Sequence, residues 1–338
     1  MANRIKEKYM AGKRYFDYPM LFLVIFLICF GLVMIYSTSS YKSTVTYGNS
    51  YHWLLRQAVA IVLGAVAMVV CCKLDYRIIK SEKFGNGCYW ASIVLLVLVL
   101  IIGAAKKGAV RWISIAGFQF QPSEVSKILV VIYLANRLSA NAHKIRTFKD
   151  SIVIVLPTVP IIALIVTQNL STALVVCSMI GVMLFVVSPK MKELMLTAGG
   201  GIILLFVYLL TANSYRNERV QIWLHPESHK KGFQTMQALY AIGSGGIFGK
   251  GLGQSMQKMG FIPESHNDMI FSIICEELGL FGAVCLILVF VALIFRMLLI
   301  ALNTEDLFGS LVVIGFMTHI AIQVFINIAC YHKITLIL

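Results

Sequence analysis

Apolar runs of about 20 residues recur along this chain, and this repetition limits the possible folds more than any other feature of the sequence. A helix needs about that many apolar residues to cross the hydrocarbon core of a bilayer. Of the 338 residues, 59% are hydrophobic and 13% are charged, whereas about 25% are charged in a soluble domain. The chain is therefore predicted to be an all-α, polytopic membrane helical bundle. A soluble enzyme, a disordered chain and a secreted disulfide scaffold are excluded.

About nine spans are predicted, within a single integral membrane domain over residues 1–338. The uncharged stretch from Ser151 to Pro189 is too long for one helix, so we expect the polar residues Gln168 and Asn169 to divide it. A long loop over about 214–268 separates spans 7 and 8. The predicted spans are 17–38, 54–72, 86–105, 118–136, 151–168, 170–189, 194–213, 269–295 and 307–330.

The formal net charge of +14 comes from Lys and Arg residues in the short segments between apolar runs. That placement is typical of orientation signals and of contacts with anionic lipids, rather than of nucleic-acid binding. Positive residues of short cytoplasmic loops set the orientation, and long loops are discounted. The distribution predicts a cytoplasmic N-terminus and places the 214–268 loop outside.

Ionisable residues inside or beside spans are candidates for function, because burying them is costly. The first group is Arg111, at the outer mouth of span 4, with Glu124 and Lys127. Pro122 suits the first residue of a helix, and Glu124 and Lys127, three residues apart, share one helix face. From the spacing alone, a structural ion pair between spans and a functional site are equally supported.

The second group lies in the long loop. It contains Arg216, Arg219 and a glycine-rich run from Gly243 to Ser255 around Lys250. The run lacks the spacing of a P-loop. A flexible re-entrant or interfacial loop is the favoured interpretation. The alternative is that bare backbone N–H groups beside Lys250 hold an anionic head group.

The third group is Glu264, His266 and Asp268, at the entrance to span 8. Viewed in isolation, Asp268 suits a helix N-cap, and Asn267 suits it equally. The pair Glu276-Glu277 lies about 12–14 Å deeper at 1.5 Å per residue. Glutamates at that depth more often pair with another span than do chemistry.

Together these blocks resemble the SEDS family of bacteria, the shape, elongation, division and sporulation proteins. The resemblance covers essentially the whole chain and is closest to the division and sporulation branch. The matching motifs are Arg-Trp-Ile at 111–113, Phe-Gln-Pro-Ser-Glu-x-x-Lys at 120–127, Tyr-Arg-x-x-Arg at 215–219, the run at 243–255, Pro-Glu-x-His-x-Asp at 263–268 and Glu-Glu-Leu-Gly at 276–279.

The resemblance implies a peptidoglycan glycosyltransferase that polymerises lipid II on the outer face of the bacterial cytoplasmic membrane and releases undecaprenyl pyrophosphate. The implied partners are a cognate class B penicillin-binding protein and the division, elongation or sporulation machinery, with no nucleic acid. Asp268 corresponds to the family's essential aspartate and is expected to be the general base. The implied substrate-binding residues are Arg111, Glu124, Lys127, Arg216, Arg219, Lys250, Glu264 and His266.

No cofactor is implied with certainty. A divalent cation, Mg or Mn, is compatible with the pyrophosphate, although the sequence shows no dedicated ligand cluster. The donor bond is α and the product β in this family, so single displacement with inversion is expected, which needs a base but no covalent nucleophile.

Two positions depart from the family pattern. Asn169 stands where the family often has an acidic residue, which puts a carboxylate role at that site in doubt. The last residues, 331–338, do not match the family's continuation. The chain is therefore expected to be truncated before the family's tenth span, which leaves its activity in question.

Two alternatives to the enzyme are a lipid II flippase and a truncated, non-catalytic partner of a penicillin-binding protein. A flippase should tolerate Asp268→Asn, whereas a polymerase should not. Within the enzyme hypothesis, losing Lys127 is expected to be more harmful than losing Lys250, because Glu124 would lose a buried partner.

The predicted topology is tested by placing a single cysteine in the 214–268 loop of a cysteine-free background. A membrane-impermeant thiol reagent should label this cysteine in intact cells, because the loop is expected outside. Labelling only in inverted vesicles would contradict the orientation.

Overall fold

The fold is known from a computed structural model that describes residues 16–106, 109–115, 118–145, 147–188, 225, 232–260, 262 and 267–329. The described helices are α1 Tyr18–Tyr47, α2 His52–Lys73, α3 Tyr76–Ile79, α4 Glu82–Ile102, α5 Pro122–Asn141, α6 Phe148–Val155, α7 Val159–Gln168, α8 Leu170–Val187, α9 Phe233–Ser244, α10 Ile270–Asn303 and α11 Leu307–Ala329. Single 3-10 turns at Ala142–Lys144 and Leu156–Thr158 flank α6.

Seven helices in the described part of the chain are long and apolar enough to cross a membrane. They are α1, α2, α4, the continuous stretch Lys149–Gln168, α8, α10 and α11. The prediction of an all-helical, polytopic membrane fold is therefore confirmed. The predicted span at 194–213 lies outside the described residues.

Helix α1 is longer than predicted. Its start is fixed by Asp17, whose side chain accepts a hydrogen bond of 2.9 Å from the backbone N–H of Met20. It ends at Gly48, which has a φ of +67°, a conformation that glycine adopts without strain. The predicted end at residue 38 is wrong because Ser and Thr hydroxyls near it bond back to carbonyls of the preceding turn, as Thr38 does to Met34, and leave the helix intact.

The predicted fourth span also starts in the wrong place. Residues Phe118–Phe120 form a strand, and α5 begins at Pro122. This strand, β3, belongs to a small antiparallel sheet with β1 (Ala104–Lys106) and β2 (Ala109–Ile115), in the order β1-β2-β3. This sheet is not predicted from the sequence, because short strands between spans lack the long apolar pattern that identifies a transmembrane helix.

The predicted break between spans 5 and 6 is confirmed. Asn169 has an extended backbone, and its side chain caps α8 by accepting a hydrogen bond of 3.1 Å from the N–H of Ser171. The adjacent Gln168 is buried and donates to the carbonyl of Leu96 on α4 at 3.2 Å. An uncharged amide at position 169 thus has a structural role as a helix cap.

The main hydrophobic core lies among α4, α5, α7, α8 and α11. Helix α5 is at its centre, with Val131, Leu134 and Leu138 completely buried. In contrast, α2 has no buried residue, which is expected of a helix that faces lipid around its circumference. The core therefore fixes α5, whose first turns carry the predicted Glu124–Lys127 pair.

Helix α10 is broken near its start. Gly279 has φ +68° and ψ −169°, which interrupts the helix after residue 278. A side chain there has no room, because a Cβ would lie 2.3 Å from the nitrogen of Gly249 and 2.4 Å from the carbonyl oxygen of Ile247. Both contacts come from the glycine-rich run after α9, so that run and the break fit against each other.

Replacing Gly279 by Ala should therefore lower the stability by more than about 1 kcal/mol, because the new Cβ meets backbone and the φ is positive. Gly31→Ala is the control. A Cβ at Gly31, within α1, meets nothing within 4 Å, and alanine favours a helix. Thermal unfolding in detergent should show a lower Tm for Gly279→Ala alone, and equal Tm values would contradict this interpretation.

Candidate functional site

The predicted contact between Glu124 and Lys127 is present at the start of α5. The Lys127 Nζ lies 2.9 Å from a Glu124 carboxylate oxygen. The two side chains differ sharply in environment, because Lys127 is 1% exposed and Glu124 is 49% exposed. The ammonium is thus held inside the protein, with its carboxylate partner at the surface of the site.

A histidine that sequence analysis missed lies beside this pair. His319, on α11, is within electrostatic range of both Lys127 and Glu124. Its Nδ1 atom is buried without a hydrogen-bond partner. The contact joins α5 to α11 at the level of the pair. A lone His within an apolar span has no sequence signal that identifies its neighbours.

Glu276 is completely buried and surrounded by donors. Lys250 donates to its Oε1 at 2.7 Å, and the N–H of Met256 donates to the same atom at 3.3 Å. The Ser255 hydroxyl donates to Oε2. These donors come from the run after α9, which we call the glycine loop (residues 245–260), and the hydroxyl of Ser244 at the end of α9 adds a longer bond of 3.5 Å to Oε1.

Glu277 is also completely buried, and its partners come from two directions. Lys258 of the glycine loop donates to its Oε1 at 2.8 Å. Ser37 of α1 donates its hydroxyl to the same carboxylate at 2.7 Å and accepts from Lys258 at 3.1 Å. The expectation that the glutamates pair with another span is therefore confirmed for Glu277, through Ser37.

The backbone of the glycine loop satisfies the helix end created at Gly279. The N–H of Lys250 donates to the carbonyl of Glu276 at 3.0 Å, and that of Gly251 donates to Glu277 at 2.9 Å. In return, the carbonyls of Gly246 and Ile247 accept from Leu280 and Phe281. These bonds supply partners for carbonyls that a broken helix leaves unpaired.

The loop is therefore not an open cradle around Lys250. The two N–H groups at 250 and 251 are already engaged, and the Lys250 ammonium is paired with Glu276. A structural role explains the glycines directly. A Cβ at Gly245 would lie 2.0 Å from the carbonyl oxygen of Cys275, and one at Gly249 would lie 2.2 Å from that of Glu277.

Asp268 is exposed and stands two residues before α10. The prediction that Asp268 or Asn267 caps this helix is wrong. The cap residue is Met269, and no side chain makes the cap hydrogen bond. The reason is geometric, because the turn at 267–269 places both residues before the cap position. The Asp268 carboxylate is thus not used as a helix cap.

The remaining predicted site residues lie wholly or partly outside the described part of the chain. The backbone of Arg111 lies in β2, and its side chain is outside the described part. Four further residues also lie outside the described residues, namely Arg216, Arg219, Glu264 and His266.

A groove of about 560 Å³ runs between the C-terminal half of α1 and the glycine loop. Tyr36, Tyr41 and Val45 line one wall, and Leu252 and Met259 line the other. Ser37 and Lys258 also line it, so the groove borders the hydrogen-bonded network around Glu277.

Ser37 and Lys258 belong to the hydrogen-bonded network around Glu277, and neither residue was predicted from the sequence. A signal was available, because two adjacent glutamates inside an apolar span need cations, and the loop before them contains Lys250 and Lys258. The identity of the α1 residue that completes the network had no comparable signal.

These features define a polytopic α-helical membrane protein with two buried, charge-balanced glutamates below an exposed aspartate. The chain belongs to the cell cycle protein family of FtsW, RodA and SpoVE, whose family model matches residues 18–335. These are the SEDS proteins, so the resemblance seen in the motifs is confirmed.

Relatives with known names support this membership. The probable peptidoglycan glycosyltransferase FtsW of Geobacter metallireducens is 35% identical over 322 residues, which are 92% of this chain and 84% of that protein. Stage V sporulation protein E of Bacillus subtilis is 36% identical over 322 residues, 92% of this chain and 86% of that protein. Division and sporulation names agree with the predicted branch.

Solved structures show the same fold. A chain from a peptidoglycan synthase complex matches with a TM-score of 0.78 at 28% identity, over 94% of this chain and 88% of that chain. The rod shape determining protein RodA of Thermus thermophilus matches with a TM-score of 0.67 at 26% identity, over 94% and 86%.

From the sequence, losing Lys127 was expected to be more harmful than losing Lys250. The exposed fractions of their partners, Glu124 and Glu276, predict the opposite order for the loss of stability. Lys250→Met leaves the completely buried Glu276 without its cation, whereas Lys127→Met leaves the half-exposed Glu124, which water can solvate. We expect a loss of about 1–3 kcal/mol for Lys250→Met, less than a fully buried pair would lose, because Lys250 is 35% exposed. Lys127→Met should cost less than about 1 kcal/mol.

Thermal unfolding of the two variants in the same detergent measures this order. A larger loss of stability for Lys127→Met than for Lys250→Met would contradict the conclusion that Glu276 depends on its lysine partner more than Glu124 does.

Proposed function

We propose that this chain is a peptidoglycan glycosyltransferase that polymerises lipid II into glycan strands, with Asp268 as the general base. The observation that carries the proposal is the position of Asp268. It is an exposed carboxylate at the head of a membrane helix, not used as a helix cap, in a chain whose relatives are named as probable peptidoglycan glycosyltransferases.

The reaction requires a base beside the acceptor hydroxyl. The acceptor hydroxyl must lose its proton as its oxygen attacks the anomeric carbon of the donor, and a carboxylate within hydrogen-bond reach accepts this proton. The bond from the anomeric carbon to the pyrophosphate oxygen breaks, and the electron pair leaves with undecaprenyl pyrophosphate. A single displacement of this kind inverts the anomeric centre and needs no covalent nucleophile.

The start of α5 suits the leaving pyrophosphate. No side chain caps this helix. Pro122 has no N–H and the N–H of Glu124 donates to the carbonyl of Gln121 at 3.0 Å, so the N–H of Ser123 is the first-turn donor proposed for an anion. Lys127 adds a buried positive charge five residues after the helix begins. Cations and N–H groups placed where negative charge develops stabilise the transition state. Glu124 then orients the Lys127 ammonium until the substrate arrives.

Of the other proposed substrate-binding cations, Lys250 already neutralises Glu276. Its contribution to the pyrophosphate is therefore proposed to be indirect, through the position of the glycine loop. Arg111, Arg216 and Arg219, together with Glu264 and His266, remain proposed substrate contacts on the strength of the motif match alone.

The described residues do not provide a protein cage for a divalent cation. Nowhere in the described ranges do three His, Cys, Asp or Glu side chains lie close enough together to hold a metal ion. Magnesium is commonly bound through substrate phosphates with one or two carboxylates. A cation such as Mg or Mn would thus be brought by the pyrophosphate, and no step here depends on it.

The proposed setting is the outer face of the cytoplasmic membrane, with the N-terminus in the cytoplasm. The proposed partner is a class B penicillin-binding protein that crosslinks the strands, within the division, elongation or sporulation machinery. Support for a partner comes from the structural match to a chain of a peptidoglycan synthase complex.

The test is lipid II polymerisation by the full chain, purified with its partner. Asp268→Asn should lower kcat by about 10²–10⁴-fold, the usual contribution of a general base. Asn267→Ala is the matched control, since Asn267 is an exposed neighbour in the same turn with no proposed role, and it should keep the parent rate. Parent activity in Asp268→Asn would contradict the proposed base.

A further inference from the structure

We propose that Ser37, Lys258 and Glu277 form a positioning unit that sets where Asp268 stands relative to the substrate. The inference rests on the proposed function, since it concerns the same aspartate. None of the three residues is proposed to touch the substrate. Their effect is transmitted through the short helical piece that we call the head segment (residues 270–278).

The head segment is separated from the rest of α10 by the break at Gly279. The break at Gly279, with φ +68°, removes the continuous helical hydrogen bonding that would otherwise fix its direction. Asp268 lies just before this segment and Glu277 near its end, nine residues apart. The position of Asp268 is thus determined by whatever holds the head segment.

The glycine loop holds the segment through the backbone, and the Ser37–Lys258–Glu277 network links it to another membrane helix. The N–H groups of Lys250 and Gly251 bind the carbonyls of Glu276 and Glu277. Those bonds involve only the loop and α10. Ser37 belongs to α1, and its hydroxyl contacts both Glu277 and Lys258, so three separate parts of the chain meet at one carboxylate.

The chemistry of the network favours a single arrangement. Glu277 is completely buried and Lys258 is 5% exposed, so separating their charges would leave a charge unsolvated. The Ser37 hydroxyl both donates and accepts, which fixes its direction. A satisfied buried network of this kind specifies one geometry rather than a range of nearly equal ones.

The protein contains a matched control at the other end of the same two helices. Arg296 of α10 is paired with Asp17, the cap residue of α1. Asp17 is about 30 Å from Ser37 along α1 at 1.5 Å per residue. This pair also joins α1 to α10, but Arg296 lies beyond the break at Gly279, outside the head segment.

The experiment compares two double variants in which both charges are removed and side-chain volumes are nearly conserved. They are Lys258→Met with Glu277→Gln, and Arg296→Met with Asp17→Asn. Both are assayed for kcat and KM with lipid II, as the full chain with its partner in proteoliposomes. Lys258→Arg with Glu277 intact tests rescue by a residue that keeps the charge and donors.

We expect the Lys258/Glu277 variant to lose at least tenfold in kcat, with KM within twofold of the parent. The substrate should still bind, but the base should be displaced. The Arg296/Asp17 variant should keep kcat and KM within twofold of the parent values. Lys258→Arg should retain at least a third of the parent kcat. If the Lys258/Glu277 variant does not fold, Ser37→Ala replaces it and should lower kcat about three- to tenfold.

Three results would overturn the inference. The first is the parent kcat in the Lys258/Glu277 variant or in Ser37→Ala. The second is a change in the Lys258/Glu277 variant that is confined to KM. The third is an equal loss of kcat in the Arg296/Asp17 variant, which would indicate a general contact between α1 and α10. A failure of the proposed function, with Asp268 as the base, gives a different result. The parent chain would be active, and Asp268→Asn would polymerise lipid II at the parent rate.

Discussion

The neutralisation of two adjacent, fully buried glutamates is the interaction on which the rest of this site depends. Glu276 and Glu277 would be strongly destabilising inside an apolar helix if either lacked a partner. Their cations, Lys250 and Lys258, come from one loop. That requirement brings the glycine loop against α10, and close backbone contact in turn requires glycine at positions 245, 249 and 279.

The same contact explains how a membrane helix holds an exposed carboxylate just before its first residue. An unbroken α10 would have one direction along its length, set by apolar packing and by the Arg296–Asp17 pair far from Asp268. The break at Gly279 gives the head segment its own set of polar contacts, to the glycine loop and to Ser37 of α1. Asp268 can then be held in a defined place, while the part of α10 after the break packs as an ordinary span.

Local features of the site were predictable from the sequence. The start of α5 at Pro122, the Glu124–Lys127 contact and the division at Asn169 follow from residue types at fixed short spacing. The contact between Ser37 and Glu277 joins residues 240 positions apart, and no periodicity encodes which face of α1 meets which turn of α10. The small sheet was missed because its strands are short, and the expected N-cap at Asp268 was wrong because the turn before α10 sets the cap at Met269.

Whether Asp268 reaches the acceptor hydroxyl is tested most directly by a structure of the Asp268→Asn chain with lipid II bound in both the donor and acceptor positions. The substituted amide side chain, which has nearly the shape of the carboxylate, should lie within about 3.2 Å of the attacking hydroxyl, the reach required of a base. A hydroxyl that instead contacts Glu124, with the side chain at position 268 turned away, would contradict the assignment of Asp268 as the base.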